Sequence, residues 1–355
     1  MNRRRLRLSK VLVAAVALGS VALVAGCSDG GNPVSFDGPS AQPPATGAAT
    51  GASSGGKAAS RAAAEAAAKT RMPTGPKAEF TTQNTIDDGT RIGVTTLHGT
   101  KSGFTGKVWV WAPKQYFDPA YARSGFPVLI ALPGGNGYPN NYWMGTDLKL
   151  QSSISRWAQE EKSLPFIVLM PVLNPDDRYY YDGSDIPGQP KMGTWMTEDV
   201  PDFVKANFRT FTSRDGWAFM GSSSGGFVGL KSVLQHPDRF KAVIASGPDT
   251  VPDSPLWAGH PAEQQANNPE KLADVLGARP DTKDNRVYLA FQIGTRESGM
   301  RNLKSFIRAH TKGPVKTRLQ VVQGGEHNAR TYVQGMEDGS IQWISRHMQA
   351  PVPTP

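Results

Sequence analysis

The chain has 355 residues, of which 38% are hydrophobic and 19% are charged, and its formal net charge is +9. Five of the positive charges lie within the first ten residues, so the excess is local and is weak evidence for a nucleic-acid partner. A single cysteine, Cys27, excludes a disulfide framework, a cysteine-rich zinc site and an iron–sulfur site within one chain.

The N-terminus has the layout of a secretory signal. Residues 1–10 are basic, and residues 11–25 are almost entirely valine, alanine and leucine, too short a run for a convincing spanning helix. The run ends in Val24-Ala25-Gly26-Cys27, which resembles the lipobox of bacterial lipoproteins. The resemblance implies a signal peptide of residues 1–26 and a lipidated Cys27, which would hold the protein on a membrane surface outside the cytoplasm. The alternative is an ordinary secretory signal followed by a stray cysteine.

The next segment, residues 27–77, is rich in Gly, Ala, Ser and Pro and poor in large apolar residues. Such a composition cannot bury enough surface to fold, so we expect a flexible tether. Residues 78–350 remain, and they are numerous enough for one good-sized core.

Beyond the tether, short apolar runs alternate with helical patterns. In chain order we expect strands at residues 92–97, 107–112, 128–132 and 166–170, a helix at 194–208, a strand at 217–220, a helix at 225–235 and a strand at 242–245. A helix at 268–277, strands at 287–293 and 319–322 and a helix around 341–348 complete the order. Buried strands that alternate with helices predict an α/β fold with a mostly parallel central sheet.

A candidate nucleophile lies in Gly221-Ser222-Ser223-Ser224-Gly225, which matches the pattern G-x-S-x-G. The chain contains a second match at residues 51–55, inside the tether. The copy at Ser223 follows an apolar strand and precedes a helix, whereas the tether copy has neither neighbour. A serine held in a strained turn between a strand and a helix needs small residues two positions before and two after it. Context therefore favours Ser223.

A nucleophilic serine requires a base, and in folds with this turn the chain order is serine, acid, histidine. Of the six histidines, His327 follows the last predicted strand in a flexible loop, Gly324-Gly325-Glu326-His327-Asn328. His98 precedes the serine, and the others lie at a helix end, in helical stretches or in an irregular region. We therefore predict His327 as the base.

The sequence leaves three candidates for the acid that orients the base. Glu297 follows the strand at 287–293, where this architecture usually places the acid, and is preferred. Asp249 follows the preceding strand and is the second candidate. Glu326 is adjacent to His327, but neighbouring residues rarely reach the required geometry.

An oxyanion hole requires two backbone N–H groups close to the nucleophile. Ser224 would supply one, and the loop Leu132-Pro133-Gly134-Gly135-Asn136-Gly137 would supply the other through Gly135 or Asn136, since Pro133 has no N–H. A phosphate-binding reading of this loop fails because no Gly-Lys-Ser/Thr follows it.

Residues 85–348 resemble the esterase D family of α/β-hydrolases, which includes the secreted mycolyltransferases of acid-fast bacteria. The stretches that carry the resemblance are PVLIALPGGNG (127–137), FIVLMPVLN (166–174), TWMTEDVPDFVKANF (194–208), MGSSSGGFVGLKSVLQHPDRFKAVIASG (220–247), GTRESG (294–299) and GGEHN (324–328). The resemblance implies the α/β-hydrolase fold, a triad of Ser223, Glu297 and His327, an acyl-enzyme, and an oxyanion hole from Gly135 and Ser224. Pro133 stands where the family often has His or Asp, and no Ser-Trp pair follows His327 as it does in mycolyltransferases.

These observations predict an extracytoplasmic serine esterase that needs neither a metal nor a cofactor. Its substrate would be an ester of a small molecule, a lipid or an acylated carbohydrate, and its contact with the membrane would be the lipid anchor. The alternatives are acyl transfer to a cell-envelope carbohydrate and a non-catalytic binding protein with this fold. Two segments could shape the site: the tyrosine-rich stretch 178–182, and residues 249–285, whose Trp257 could line an acyl groove under a cap.

Overall fold

A computed structural model describes residues 31–39, 64–65 and 67–353 of the chain. The predicted signal peptide, the predicted lipidation site Cys27 and most of the predicted tether lie outside the described residues. Within the described ranges, no helix is long and apolar enough to cross a membrane.

Twelve strands form within the described residues. They are β1 (Pro33–Val34), β2 (Thr70–Arg71), β3 (Phe80–Thr85), β4 (Arg91–His98), β5 (Thr105–Trp111), β6 (Val128–Leu132), β7 (Ile167–Pro171), β8 (Thr210–Phe211), β9 (Trp217–Ser222), β10 (Ala242–Ser246), β11 (Val287–Gly294) and β12 (Val315–Val322). β2 and β8 pair with each other as a small ribbon, and the other ten make one sheet in the order β1-β3-β4-β5-β7-β6-β9-β10-β11-β12.

Neighbouring strands of the large sheet are antiparallel from β1 through β5 to β7, and they are parallel from β7 to β12. Every residue of β6, β7, β9 and β10 is buried, which is why these strands read as continuous apolar runs rather than alternating ones. The predicted α/β-hydrolase fold with a mostly parallel sheet is confirmed. In such a sheet, functional groups gather where the parallel strands end.

Helices cover the faces of the sheet. They are α1 (Leu150–Gln159), α2 (Met192–Thr194), α3 (Val200–Asn207), α4 (Ser224–Gln235), α5 (Pro261–Ala266), α6 (Pro269–Gly277), α7 (Met300–His310), α8 (Ala329–Gly335) and α9 (Ile341–Ser345). One π-helical turn, Trp195–Asp199, joins α2 to α3, so the predicted helix at 194–208 is present with a local widening. The sequence analysis did not predict the strands β1, β2, β3 and β8 or the helices α1, α5 and α8.

The structure corrects part of the predicted tether. β1 pairs antiparallel with β3, and the Phe36 side chain that follows it is 6% exposed. Its ring centroid lies 5.0 Å from that of Phe80 and 5.5 Å from that of Phe208. A Cβ at Gly93 would lie 2.8 Å from the Phe36 ring, so glycine on β4 makes the room for it. Residues 33–36 therefore belong to the folded domain, because one aromatic side chain fits a prepared site.

Replacing Phe36 with alanine should lower the free energy of unfolding by about 3 kcal/mol, the lower end of the cost of deleting a buried phenylalanine ring. Urea denaturation of the chain without residues 1–27 would measure this. Met72→Ala is the matched control, because its side chain is 53% exposed and its loss should cost within about 0.5 kcal/mol. Coincident unfolding curves for wild type and Phe36→Ala would show that this segment contributes nothing to the fold.

Candidate active site

Ser223 occupies a sharp turn between β9 and α4. Its backbone has φ 52° and ψ −121°, a region that side-chain-bearing residues rarely adopt and that costs about 1–3 kcal/mol. The turn is fastened by the Ser223 N–H, which donates to the Ser246 carbonyl of β10 over 2.8 Å. A Cβ at Gly225 would lie 2.7 Å from the Leu132 carbonyl oxygen and nearer still to that of Pro133. Glycine is therefore required two positions after the serine, as the sequence pattern predicts.

Glu297 and His327 meet at the edge of the sheet where β11 and β12 end. His327 Nδ1 lies 2.6 Å from Glu297 Oε2. The Glu297 side chain is 3% exposed and that of His327 is 52% exposed. A buried carboxylate can thus hold one face of an imidazole while the rest of the ring stays open to the cleft. The second carboxylate oxygen, Oε1, accepts the Gly294 N–H over 2.6 Å.

The other two acid candidates do not contact the His327 ring through a hydrogen bond. Glu326 pairs instead with Arg296, at 3.1 Å between Nη1 and Oε1. Asp249 shares no hydrogen bond with His327 among the described interactions, although the two are close enough to influence each other electrostatically. Burial, and after it the nearby Asp253, raises the pKa of the Asp249 carboxyl, while His327 opposes the rise. The geometry therefore favours Glu297.

Tyr332 of α8 also contacts this pair, and the sequence analysis did not identify it. Its hydroxyl oxygen lies 2.8 Å from Glu297 Oε2 and 2.8 Å from His327 Nδ1. The Tyr332 side chain is buried, and burial followed by the charge of Glu297 raises the pKa of its phenol far above the usual range. The phenol therefore stays protonated, and its O–H donates a hydrogen bond to the Glu297 carboxylate.

The predicted oxyanion loop lies directly over the serine turn. Ser224 Oγ donates to the Gly135 carbonyl over 2.7 Å, which ties the two candidate N–H donors together. Gly135 has φ 66°, so the loop uses glycine for a left-handed residue. Among the described interactions, neither the Gly135 N–H nor the Ser224 N–H has a protein acceptor. Both groups are thus available to an oxygen that enters from the cleft.

Tyr142, which the sequence analysis also did not identify, stabilises the predicted oxyanion loop through a hydrogen bond. Its hydroxyl accepts the Gly134 N–H over 2.8 Å and is in short contact with Ser222 Oγ. Burial raises the pKa of this phenol, so it remains neutral. Because the Gly134 N–H is taken by Tyr142, the next N–H along the loop is the one left for substrate.

These groups line one cleft of about 620 Å³. Its walls come from the oxyanion loop, the segment 142–148, the serine turn and the loop that carries His327. The lining residues are Gly134, Gly135, Tyr142, Asp147, Leu148, Tyr180, Ser222, Ser223, His327, Asn328, Ala329 and Tyr332. The volume is within the range of small-molecule sites. Of the predicted site residues that the structure describes, Ser223, His327 and Gly135 line this cleft, whereas Glu297 and Ser224 lie just outside its lining.

The tyrosine-rich stretch 178–182 and the segment 249–285 were both considered as parts of the site, but only the first contributes to the cleft lining. Tyr180 lines the cleft and is 39% exposed, whereas Tyr181 is buried. Trp257 does not line the cleft. It is buried and donates its Nε1–H to Asp182 Oδ2 over 2.7 Å. No residue of 249–285 is among those that line the cleft, so this segment braces the tyrosine-rich loop instead of forming the acyl groove considered above.

Lys231 fastens the same loop to α4. Its buried ammonium donates to the Asp182 carbonyl at 2.9 Å, to the Gly183 carbonyl at 2.5 Å and to Ser184 Oγ at 2.5 Å. Burial lowers the pKa of this ammonium to about 8, against the opposing charge of Asp182. The helix that starts at the serine turn thereby also positions the cleft wall that carries Tyr180.

In the part of the chain that the structure describes, no group of three or more His, Cys, Asp or Glu side chains is arranged to bind a metal ion. The arrangement contains instead a serine on a strained turn, a histidine bound to a buried carboxylate and two free backbone donors. Such a set of groups suits nucleophilic acyl chemistry.

Comparison with curated proteins finds relatives of low identity, including the following two. An uncharacterized protein of Corynebacterium glutamicum is 24% identical over 286 residues, which cover 75% of this chain and 65% of that protein. An esterase of Mycobacterium tuberculosis is 26% identical over 199 residues, which cover 45% of this chain and 41% of that protein. The matches thus span less than two thirds of either relative.

Among solved structures, a ferulic acid esterase matches with a TM-score of 0.58 and 19% identity, covering 73% of this chain and 99% of that one. At this identity the likeness shows the fold alone. At the level of sequence families, residues 103–346 match the putative esterase family. That range contains every site residue described above and more than half of the chain, and so the protein belongs to the putative esterase family.

Proposed function

We propose that this protein hydrolyses a carboxylic ester through a triad of Ser223, His327 and Glu297. The observation that carries the proposal is the 2.6 Å contact between His327 Nδ1 and buried Glu297 Oε2, in a cleft that also contains the strained Ser223. With Nδ1–H donated to the carboxylate, Nε2 is left unprotonated and is free to take a proton.

The reaction follows from these groups. Ser223 Oγ attacks the ester carbonyl as its proton passes to His327 Nε2, and the N–H groups of Gly135 and Ser224 bind the resulting oxyanion. The C–O bond then breaks, and the imidazolium gives its proton to the departing alcohol. Water, deprotonated by the same histidine, cleaves the acyl-enzyme and restores the serine.

A second candidate is transfer of the acyl group to a carbohydrate hydroxyl in place of water. The observation that favours it is Tyr180, an aromatic side chain that lines the cleft and is 39% exposed. Exposed aromatic faces can stack against sugar rings. The chemistry up to the acyl-enzyme is the same, and the two outcomes differ only in which hydroxyl attacks it.

The site of action that we propose is extracytoplasmic. Support comes from the sequence of residues 1–26, which has signal-peptide layout, and from the lone cysteine placed where a lipobox requires it. One lipidated residue carrying several acyl chains would keep the enzyme at a membrane surface. Substrates would then be esters of the cell envelope or its surroundings.

The test uses the chain without residues 1–27. A fluorophosphonate should label it, with the adduct found on the peptide that contains Ser223, and p-nitrophenyl esters of graded chain length should be turned over. Addition of trehalose or glucose separates the two activities, since a sugar ester formed faster than free acid would make the protein a transferase. Absence of both label and turnover would contradict the enzyme proposal and leave a binding role.

A further inference from the structure

Four segments of the chain converge on the carboxylate of Glu297. The acid receives the Gly294 N–H on Oε1, and its Oε2 receives both His327 Nδ1 and the Tyr332 hydroxyl. Gly247, at the end of β10, closes the remaining side. A Cβ at Gly247 would lie 2.6 Å from Glu297 Oε2 and 2.9 Å from His327 Cε1, and closer still to the Tyr332 oxygen.

The phenol oxygen of Tyr332 is equidistant, at 2.8 Å, from Glu297 Oε2 and His327 Nδ1. It can therefore donate its proton to the carboxylate and accept a share of the Nδ1–H. The ring stands edge-on to the imidazole, at 89° and 5.9 Å between centroids. The three groups form a closed triangle rather than a linear chain, and each fixes the direction of the other two.

The backbone around Tyr332 is itself held in place. Asn328 caps α8, its Oδ1 accepting the Thr331 N–H over 3.0 Å, and Thr331 Oγ1 accepts the Glu326 N–H over 3.1 Å. His327 lies in the chain between Glu326 and Asn328, both of which are hydrogen-bonded to Thr331. A short helix thus delivers the phenol at a fixed distance from the histidine five residues before it.

We propose that Tyr332 is a positioning residue that fixes the tautomer and orientation of His327 and shares the negative charge of Glu297. The proposal rests on the triad function proposed above. The hydroxyl touches no reacting atom, so its effect acts through the base. Because its hydroxyl donates to Glu297 Oε2 and its oxygen faces the Nδ1–H, Tyr332 favours the tautomer of His327 that leaves Nε2 unprotonated.

Other charged groups face His327 and must stay unchanged in the test. Among the described residues, these are Asp249 in the loop after β10, Glu297 in the loop after β11, and the neighbouring ion pair of Arg296 and Glu326. Removal of a single neutral hydroxyl adds or deletes none of these charges. Tyr332→Phe is therefore the appropriate change, since it retains the ring against the imidazole.

Tyr332→Phe should lower kcat by about tenfold to a hundredfold, the value of a hydrogen bond to a charged group, with KM changed less than about twofold. The acidic limb of the kcat/KM profile should also differ from that of wild type. Tyr181→Phe is the matched control, because Tyr181 also donates its hydroxyl to a carboxylate, Asp176 Oδ2 at 2.9 Å, and has no hydrogen bond to a triad residue among the described interactions. It should leave the acidic limb in place.

Nitrogen-15 NMR of the His327 ring, assigned by comparison with His327→Gln, reports which ring nitrogen carries the proton without any substrate. A larger share of the Nε2–H tautomer in Tyr332→Phe supports the proposal even if the esters tried are not turned over. An unchanged tautomer distribution, or a loss confined to KM, would overturn it. Failure of the proposed esterase function would appear separately, as a wild-type protein that neither reacts with fluorophosphonate nor cleaves esters.

Discussion

Replacing Ser223 with alanine should lower kcat for a p-nitrophenyl ester by about 10⁴-fold or more. Loss of the nucleophile removes the acyl-enzyme route altogether and leaves only the oxyanion donors and substrate binding to accelerate attack by water. Alanine at a φ of 52° retains the strain of the turn, so the free energy of unfolding should stay within about 1 kcal/mol of wild type. Steady-state kinetics and a thermal melt together measure both quantities.

The chain provides its own control for this change. Ser53 lies at the centre of the second G-x-S-x-G match, residues 51–55, which falls outside the described residues. Ser53→Ala should leave kcat unaltered, because neither a strand nor a helix is expected beside it. Retention of more than a hundredth of wild-type activity in Ser223→Ala would mean that another group forms the acyl-enzyme.

The strained turn at Ser223 was predictable because its requirements are local. A buried strand, three small residues and a helix follow one another in fewer than twenty residues, and steric limits on a strained turn allow little else. His327 and Glu297 were reached through chain order and through their positions after β12 and β11. Parallel strands end at a common edge, so residues that follow them are brought together by the fold class itself.

Tyr332 and Gly247 could not be found in this way. The contact of Tyr332 with Glu297 and His327 depends on where α8 lies, and the sequence analysis did not predict that helix. Gly247 was not identified because glycine is needed there only to allow the close approach of three side chains from other parts of the chain. Both residues depend on tertiary distances of a few ångströms, which spacing along a sequence does not express.

The segment around β1 shows the same limit at a larger scale. Its composition is that of a tether, and the two-residue strand has little stability of its own. Packing of Phe36 against Phe80 and Phe208, over a glycine on β4, changes the outcome. A single well-placed aromatic side chain thus outweighs the average composition of its surroundings.

Glu297→Gln should lower kcat by about 10³-fold while Asp249→Asn changes it less than about threefold. The amide of glutamine has one acceptor atom, yet Glu297 accepts from Gly294 N–H on one oxygen and from Tyr332 on the other. One of these donors must therefore face an NH₂ group. If the NH₂ faces His327, the imidazole must accept at Nδ1 and carry its proton on Nε2, which is the wrong tautomer for a base.

Asp249 occupies a different position. It has no hydrogen bond to His327 among the described interactions, and its effect is a through-space charge, weakened because burial and Asp253 raise its pKa. Its neutral isostere should therefore move the acidic limb of the kcat/KM profile slightly to lower pH, since a negative charge near the imidazolium is lost. Both variants should be measured across pH 5–9 with the same ester. A larger loss of kcat in Asp249→Asn than in Glu297→Gln would assign the triad acid to the loop after β10 and would contradict the geometry at 2.6 Å between Glu297 and His327.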